Sequence, residues 1–90
     1  MTDTTYNGWS NYETWRVNLE MIDGTDLEYW GGTQEFHSLV EAIKESCTDI
    51  VADQAPNGSL AQSYALAFLD AVNWREIAGN LVTDHTINAA

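Results

Sequence analysis

Apolar residues in this 90-residue chain recur at intervals of three and four, the repeat of one helix face. Tyr12, Trp15, Leu19 and Ile22 form the first such stripe. Ser10 and Glu13 stand ahead of it at capping-box spacing, the serine hydroxyl accepting from the Glu13 amide and the carboxylate reaching back to the Ser10 N–H. Trp9 occupies the position of a hydrophobic staple, and Gly24 supplies a left-handed stop. The pattern therefore predicts a helix over 11–23. "GTDLEYWGG" has room for one helical turn around Leu27 to Trp30. Thr33 can cap the next helix, predicted over 34–52, whose stripe is Phe36, Leu39, Val40, Ile43, Cys47, Ile50 and Val51.

"QAPNGS" is a turn, and Ser59 with Gln62 forms a second capping box. Leu60, Ala61, Tyr64, Ala65, Phe68, Leu69 and Val72 predict a third helix over 60–72 with one broad apolar face. Asn73 with Glu76 opens a fourth, over 74–82, with Trp74, Ile77, Ala78 and Leu81 inward. "TDHTINAA" reads as a frayed end. No stretch alternates as a strand does, and the turns are too short to separate domains. The expected fold class is all-α. It is a bundle of about four helices forming one domain over residues 1–90. The expected core includes Trp15, Leu19, Phe36, Val40, Ile43, Tyr64, Phe68 and Trp74.

Composition supports a folded domain: 44% of residues are hydrophobic, and a chain this long buries roughly 60–65% of its unfolded surface. No window has the roughly 18 apolar residues of a membrane span. The amino terminus lacks the charged start and apolar run of a signal peptide, so a cytoplasmic location is expected. Cys47 is the lone cysteine. That excludes an internal disulfide, and a buried apolar role suits it.

Charge changes the picture more than composition does. Fourteen Asp and Glu face three Lys and Arg, a formal net charge of −11, with a pI of about 4.1. Such a chain repels nucleic acid and anionic membranes and attracts basic protein surfaces. Solubility or adaptation to high salt is the plain alternative.

Equipment for catalysis is sparse. His37 and Glu41, at i and i+4, could touch a metal, but His85 is the sole other imidazole and a stable site needs three or four ligands. Serine and histidine form no triad signature, and the glycines form no phosphate cradle. Residues 72–84 resemble the first helix of a helix-turn-helix, yet no recognition helix follows and basic side chains are few. No enzyme activity, catalytic residue, metal or cofactor is expected.

One polar pattern stands out. Glu41, Glu45, Asp49 and Asp53 recur every four residues on the central helix. They form a row stepped by about 6 Å that winds about 40° per step. Like charges at this spacing each cost roughly 0.2–0.5 kcal/mol, and Lys44 relieves only part of it. The row resembles the phosphates of a nucleic-acid strand. An ordinary solvated face is the alternative. Glu13 and Glu20 are expected to extend the patch if the first two helices lie side by side.

Asn7-Gly8-Trp9-Ser10-Asn11-Tyr12-Glu13-Thr14-Trp15, followed by Val17 and Leu19, resembles an opening common to small phage-encoded proteins of uncharacterised function. Val72-Asn73-Trp74-Arg75-Glu76-Ile77-Ala78 resembles their closing helix. Together the matches cover about a fifth of the chain. The group often carries a tryptophan where this chain has Glu20-Met21. The resemblance implies a mobile-element origin and brings no catalytic residues. Joined to the acidic row, it leads to an expected function: inhibition of a basic, nucleic-acid-binding host defence protein, by nucleic-acid mimicry of the anti-CRISPR or anti-restriction kind. The alternative is a helical protein-interaction module whose acidity serves solubility alone.

Overall fold

The computed structural model describes residues 5–31 and 35–89, with side chains described through residue 84. Thr33, the expected cap of the second helix, and the side chain of His85 lie outside the described residues. Among the described residues the architecture is all-α, as the apolar periodicity predicts. Helix α1 spans Tyr12–Val17 and continues directly into a π-helical turn, Asn18–Ile22. A 3₁₀ turn covers Leu27–Trp30. Helices α2, α3 and α4 span Phe36–Asp53, Leu60–Asp70 and Trp74–Ala89. Helix α4 thus runs well past residue 82, through the stretch expected to fray. The α2 helix packs against both α3 and α4.

The chain opens on a tight reversal that periodicity does not reveal. Asn7 and Gly8 both take positive φ, 48° and 88°. Tyr6 and Trp9 exchange two backbone hydrogen bonds of 2.8 Å across them. Asn-Gly is the dipeptide a two-residue hairpin turn requires, because both central residues must be left-handed. That signal was present in the sequence. Gly24, at φ 87°, ends the first helical segment as expected.

Two of the three expected caps form, at Ser59 and Asn73, and none closes as a reciprocal local box. Asn11, not Ser10, caps α1, its side chain accepting from the Thr14 N–H at 2.9 Å. The Ser10 N–H is taken by the Glu76 carboxylate at 2.9 Å, sixty-six residues away. Asn73 accepts from the Glu76 N–H at 3.1 Å, as a cap should. Its own N–H goes to Thr14 Oγ1 at 2.8 Å instead of to Glu76. At α3, Ser59 Oγ accepts from the Gln62 N–H at 3.1 Å, while Gln62 Oε1 accepts from Gly58 rather than Ser59.

The core contains Val17, Ile22, Leu27, Trp30, Leu39, Val40, Ile43, Cys47, Leu69, Val72, Trp74, Ile77, Ala78 and Leu81. Val40, Ile43 and Trp74 were expected there. Phe36 and Phe68 pack against it from partly buried positions. Leu19 and Tyr64 do not belong to it: they are 49% and 68% exposed. Trp15 is half-buried and stacks near Tyr6 and Tyr12, at centroid distances of 4.9 and 5.7 Å.

Two physical causes shift the first stripe. The face of α1 that turns inward carries Thr14, fully buried, and Val17. A polar residue on that face hides it from an apolar count. The π turn then changes the angular step per residue, so Ile22, five residues after Val17, joins the same core. The third helix is limited by thickness. The molecule measures 46 × 37 × 22 Å, and its short dimension is about two helix diameters.

Candidate functional site

The carboxylate row lies on the exposed side of α2. Glu41, Glu45, Asp49 and Asp53 are all exposed, while Leu39, Ile43 and Cys47 on the opposite side are buried. The arrangement follows from the sequence: an apolar stripe fixes which side of α2 meets the core, so the acids at the complementary positions face water. The helix has no basic residue in its last turn, where a cation would offset the macrodipole. Asp53 and Asp70 instead end α2 and α3, an unfavourable place for carboxylates.

Little neutralises the row. Among the described residues the one ion pair joins Arg16 to Glu20. Arg16 also donates to the Tyr12 hydroxyl at 2.7 Å. Arg75 lies over the Phe36 ring, 5.0 Å from its centroid. Lys44 remains as the basic residue on α2.

Glu13 and Glu20 do not extend this row. The α1 segment is fastened to the α3–α4 junction, through Asn11 to the Ala71 carbonyl at 2.7 Å and Thr14 to the Asn73 amide. It does not lie along α2. Glu13 is half-buried in the first turn of α1. Glu20, paired with Arg16, lines the same hollow as Val51 of α2, which lies about 120° around the helix from Glu45.

At that place the structure holds a feature the sequence does not reveal. Two adjoining hollows of ≈550 and ≈380 Å³ lie between the π turn, the C-terminal half of α2 and α3. They share Glu20, Met21, Val51 and Ala65 in their walls. Ile50, Leu60 and Tyr64, expected to be covered, are 46%, 67% and 68% exposed. The groove continues the apolar stripe of α2 beyond the last fully covered residue, Cys47. Apolar periodicity announces a face that wants a partner, but not whether the chain supplies one.

Cys47 itself is buried and free. Burial pushes its thiol from 9.0 up to about 11, which suppresses the reactive thiolate. His37 is exposed on α2 near the same end as Glu41. No group of three or more potential metal ligands comes together among the described residues. No helix among them is long and apolar enough to cross a membrane.

Fold and surface together define a small all-α protein with an unneutralised acidic helix. The chain belongs to the family of unknown function DUF7249, which it matches over residues 2–89. No curated protein and no solved structure matches it. The two stretches that carry the phage-protein resemblance, 7–15 and 72–78, are the ones bonded to each other through Ser10, Thr14, Asn73 and Glu76. Their side chains serve the fold: these polar groups satisfy one another within the protein.

Proposed function

We propose that this is a small acidic accessory protein of phage type. It binds a basic, nucleic-acid-binding host defence protein and inhibits it by nucleic-acid mimicry, as anti-restriction and anti-CRISPR inhibitors do. One observation carries the reading. Four carboxylates, Glu41, Glu45, Asp49 and Asp53, stand exposed along one 18-residue helix, without a salt bridge among the described residues. Rigid spacing along a helix lets a row of charges engage a channel that normally tracks a phosphate backbone. Acids at the C-terminal ends of α2 and α3 oppose the macrodipole, so they are placed against the interest of helix stability. Solubility alone asks only for charge somewhere on the surface.

The test is the affinity for an identified basic partner, measured across salt concentrations for the wild type and for Glu45→Lys with Asp49→Lys. Wild-type affinity should fall steeply with salt, and the double reversal should weaken binding mainly through slower association. The partner's own nucleic acid should compete. Equal affinities, flat with salt, would reject mimicry and leave the acidity as a solubility device.

A further inference from the structure

We infer that the groove between the π turn, α2 and α3 is a docking site for a basic amphipathic helix of a partner protein. The inference does not require nucleic-acid mimicry, although Asp49 and Asp53 of the acidic row stand next in sequence to groove residues. Ile50, on the groove, and Glu45, in the middle of the row, lie about 140° apart around α2.

The lining is mainly apolar: Met21, Val51 and Ala65 border both hollows, Ile50 and Tyr64 are exposed beside them, and Glu20, Gln54 and Arg16 are the polar exceptions. The lining residues are mostly helical, Gln54 and Ala55 excepted, and the described residues hold no strand. No sheet edge is available to pair with an extended peptide, so recognition falls to side chains of a helix laid in the groove. From Tyr64 to Leu69 the α3 wall runs about 7.5 Å, enough to face apolar anchors at i and i+4 of such a helix.

The rim decides the sign of the partner. Glu28, Asp49, Asp53 and Asp70 are exposed, each next in sequence to a residue of the groove wall. The one cation among the lining residues, Arg16, is already bonded to Glu20. A helix with leucine-like anchors and flanking Lys or Arg therefore gains both burial and charge pairing. A second copy of this chain does not. It brings a further net charge of −11 and three Lys and Arg in all. Of those three, Arg16 is bonded to Glu20 and Arg75 stacks on Phe36.

The probe is a fluorescein-labelled 18-residue Leu/Lys peptide with leucines on one helix face, compared with a scrambled peptide of the same composition. Anisotropy should show the amphipathic peptide binding at least about tenfold more tightly than the scrambled one. Ile50→Gln with Tyr64→Gln changes no charge and touches exposed side chains. It should cost about tenfold in affinity with the helical circular dichroism unchanged. On the unmutated protein, the peptide should shift the methyl signals of Met21 and Ile50 and leave those of buried Ile77 in place. Equal binding of both peptides would mean attraction by charge alone and would overturn the proposal. So would unshifted Met21 and Ile50 methyls, or a concentration-dependent dimer in sedimentation that the double variant dissolves, which would assign the groove to a second copy.

Discussion

One region of this molecule, the closed end of the chain's first helix, is fastened by hydrogen bonds, and another, the open end, is left to solvent. At the closed end the opening segment meets the α3–α4 junction. There Ser10, Asn11, Thr14, Asn73 and Glu76 bond one another or the backbone, over buried Trp74, Ile77 and Ala78. At the open end, Leu19, Ile50, Leu60 and Tyr64 extend apolar stripes that stay exposed among the described residues. Both ends are built from helix-spaced apolar residues preceded by good caps. The difference is whether a second element arrives. At the closed end a buried threonine and a borrowed glutamate draw α1 onto the junction. At the open end no described element arrives.

Mutations should separate the two ends cleanly. Ile77 is fully buried beneath the closed end, and Ile77→Ala should cost about 2–5 kcal/mol. That is a large share of a total stability of roughly 5–15 kcal/mol, and thermal denaturation would show it. If Ile77→Ala were as mild as an open-end change, the contrast would collapse.

Cys47 marks the last fully closed turn of α2, and Ile50, three residues on, is 46% exposed. Its folded pKa of about 11 exceeds the 9.0 of an exposed thiol. The associated stability is therefore complete below pH 9 and is lost as pH rises from 9 through about 11. Two pKa units correspond to at most about 3 kcal/mol. Denaturant titrations of the wild type and Cys47→Ala across that window should diverge by this alkaline loss, which the alanine variant lacks. A thiol reagent at pH 8 should react only on unfolding.

Thr14→Val keeps the shape and removes the hydroxyl that accepts from Asn73 and donates to Asn11. Leaving those partners unsatisfied should cost about 1–3 kcal/mol. A neutral result would mean that the clasp does not close that end. Trp15→Ala should cost about 1–2 kcal/mol, since the ring is half-buried and gains part of its stabilisation from Tyr6 and Tyr12. Full burial, which the helical stripe predicts, would instead put the loss at about 3–5 kcal/mol. Leu60→Ser, at the open end, should stay within about 0.5 kcal/mol of wild type. A larger loss would show that Leu60 is covered in solution.

Much of this was readable in the chain. The turn at Leu27–Trp30, the long central helix, the Ser59 and Asn73 caps, the burial of Cys47 and the exposure of Glu41, Glu45, Asp49 and Asp53 all follow from local rules. Those rules concern residues three or four apart, which touch whatever the rest of the fold does. Legibility ends where a local pattern has two satisfactory outcomes. Trp15 and Leu19 fit an inward stripe, yet Thr14 and Val17 took the core, because a threonine with two hydrogen-bond partners can be buried at little cost.

The sequence by itself determined that the chain is helical, where most helices start and stop, and that its surface is strongly acidic. Periodicity, caps and net charge are properties of neighbours or of totals, and they need no knowledge of the fold. Only the tertiary structure decided which partner each polar group found. The Ser10 amide went to Glu76 rather than Glu13, and the Asn73 amide to Thr14 rather than Glu76. It also decided which apolar stripes were covered. A stripe states a demand for burial, and only the number and placement of packed helices settles whether it is met. In this protein the stripes on α2 and α3 outrun the described helices, so the groove exists only in three dimensions.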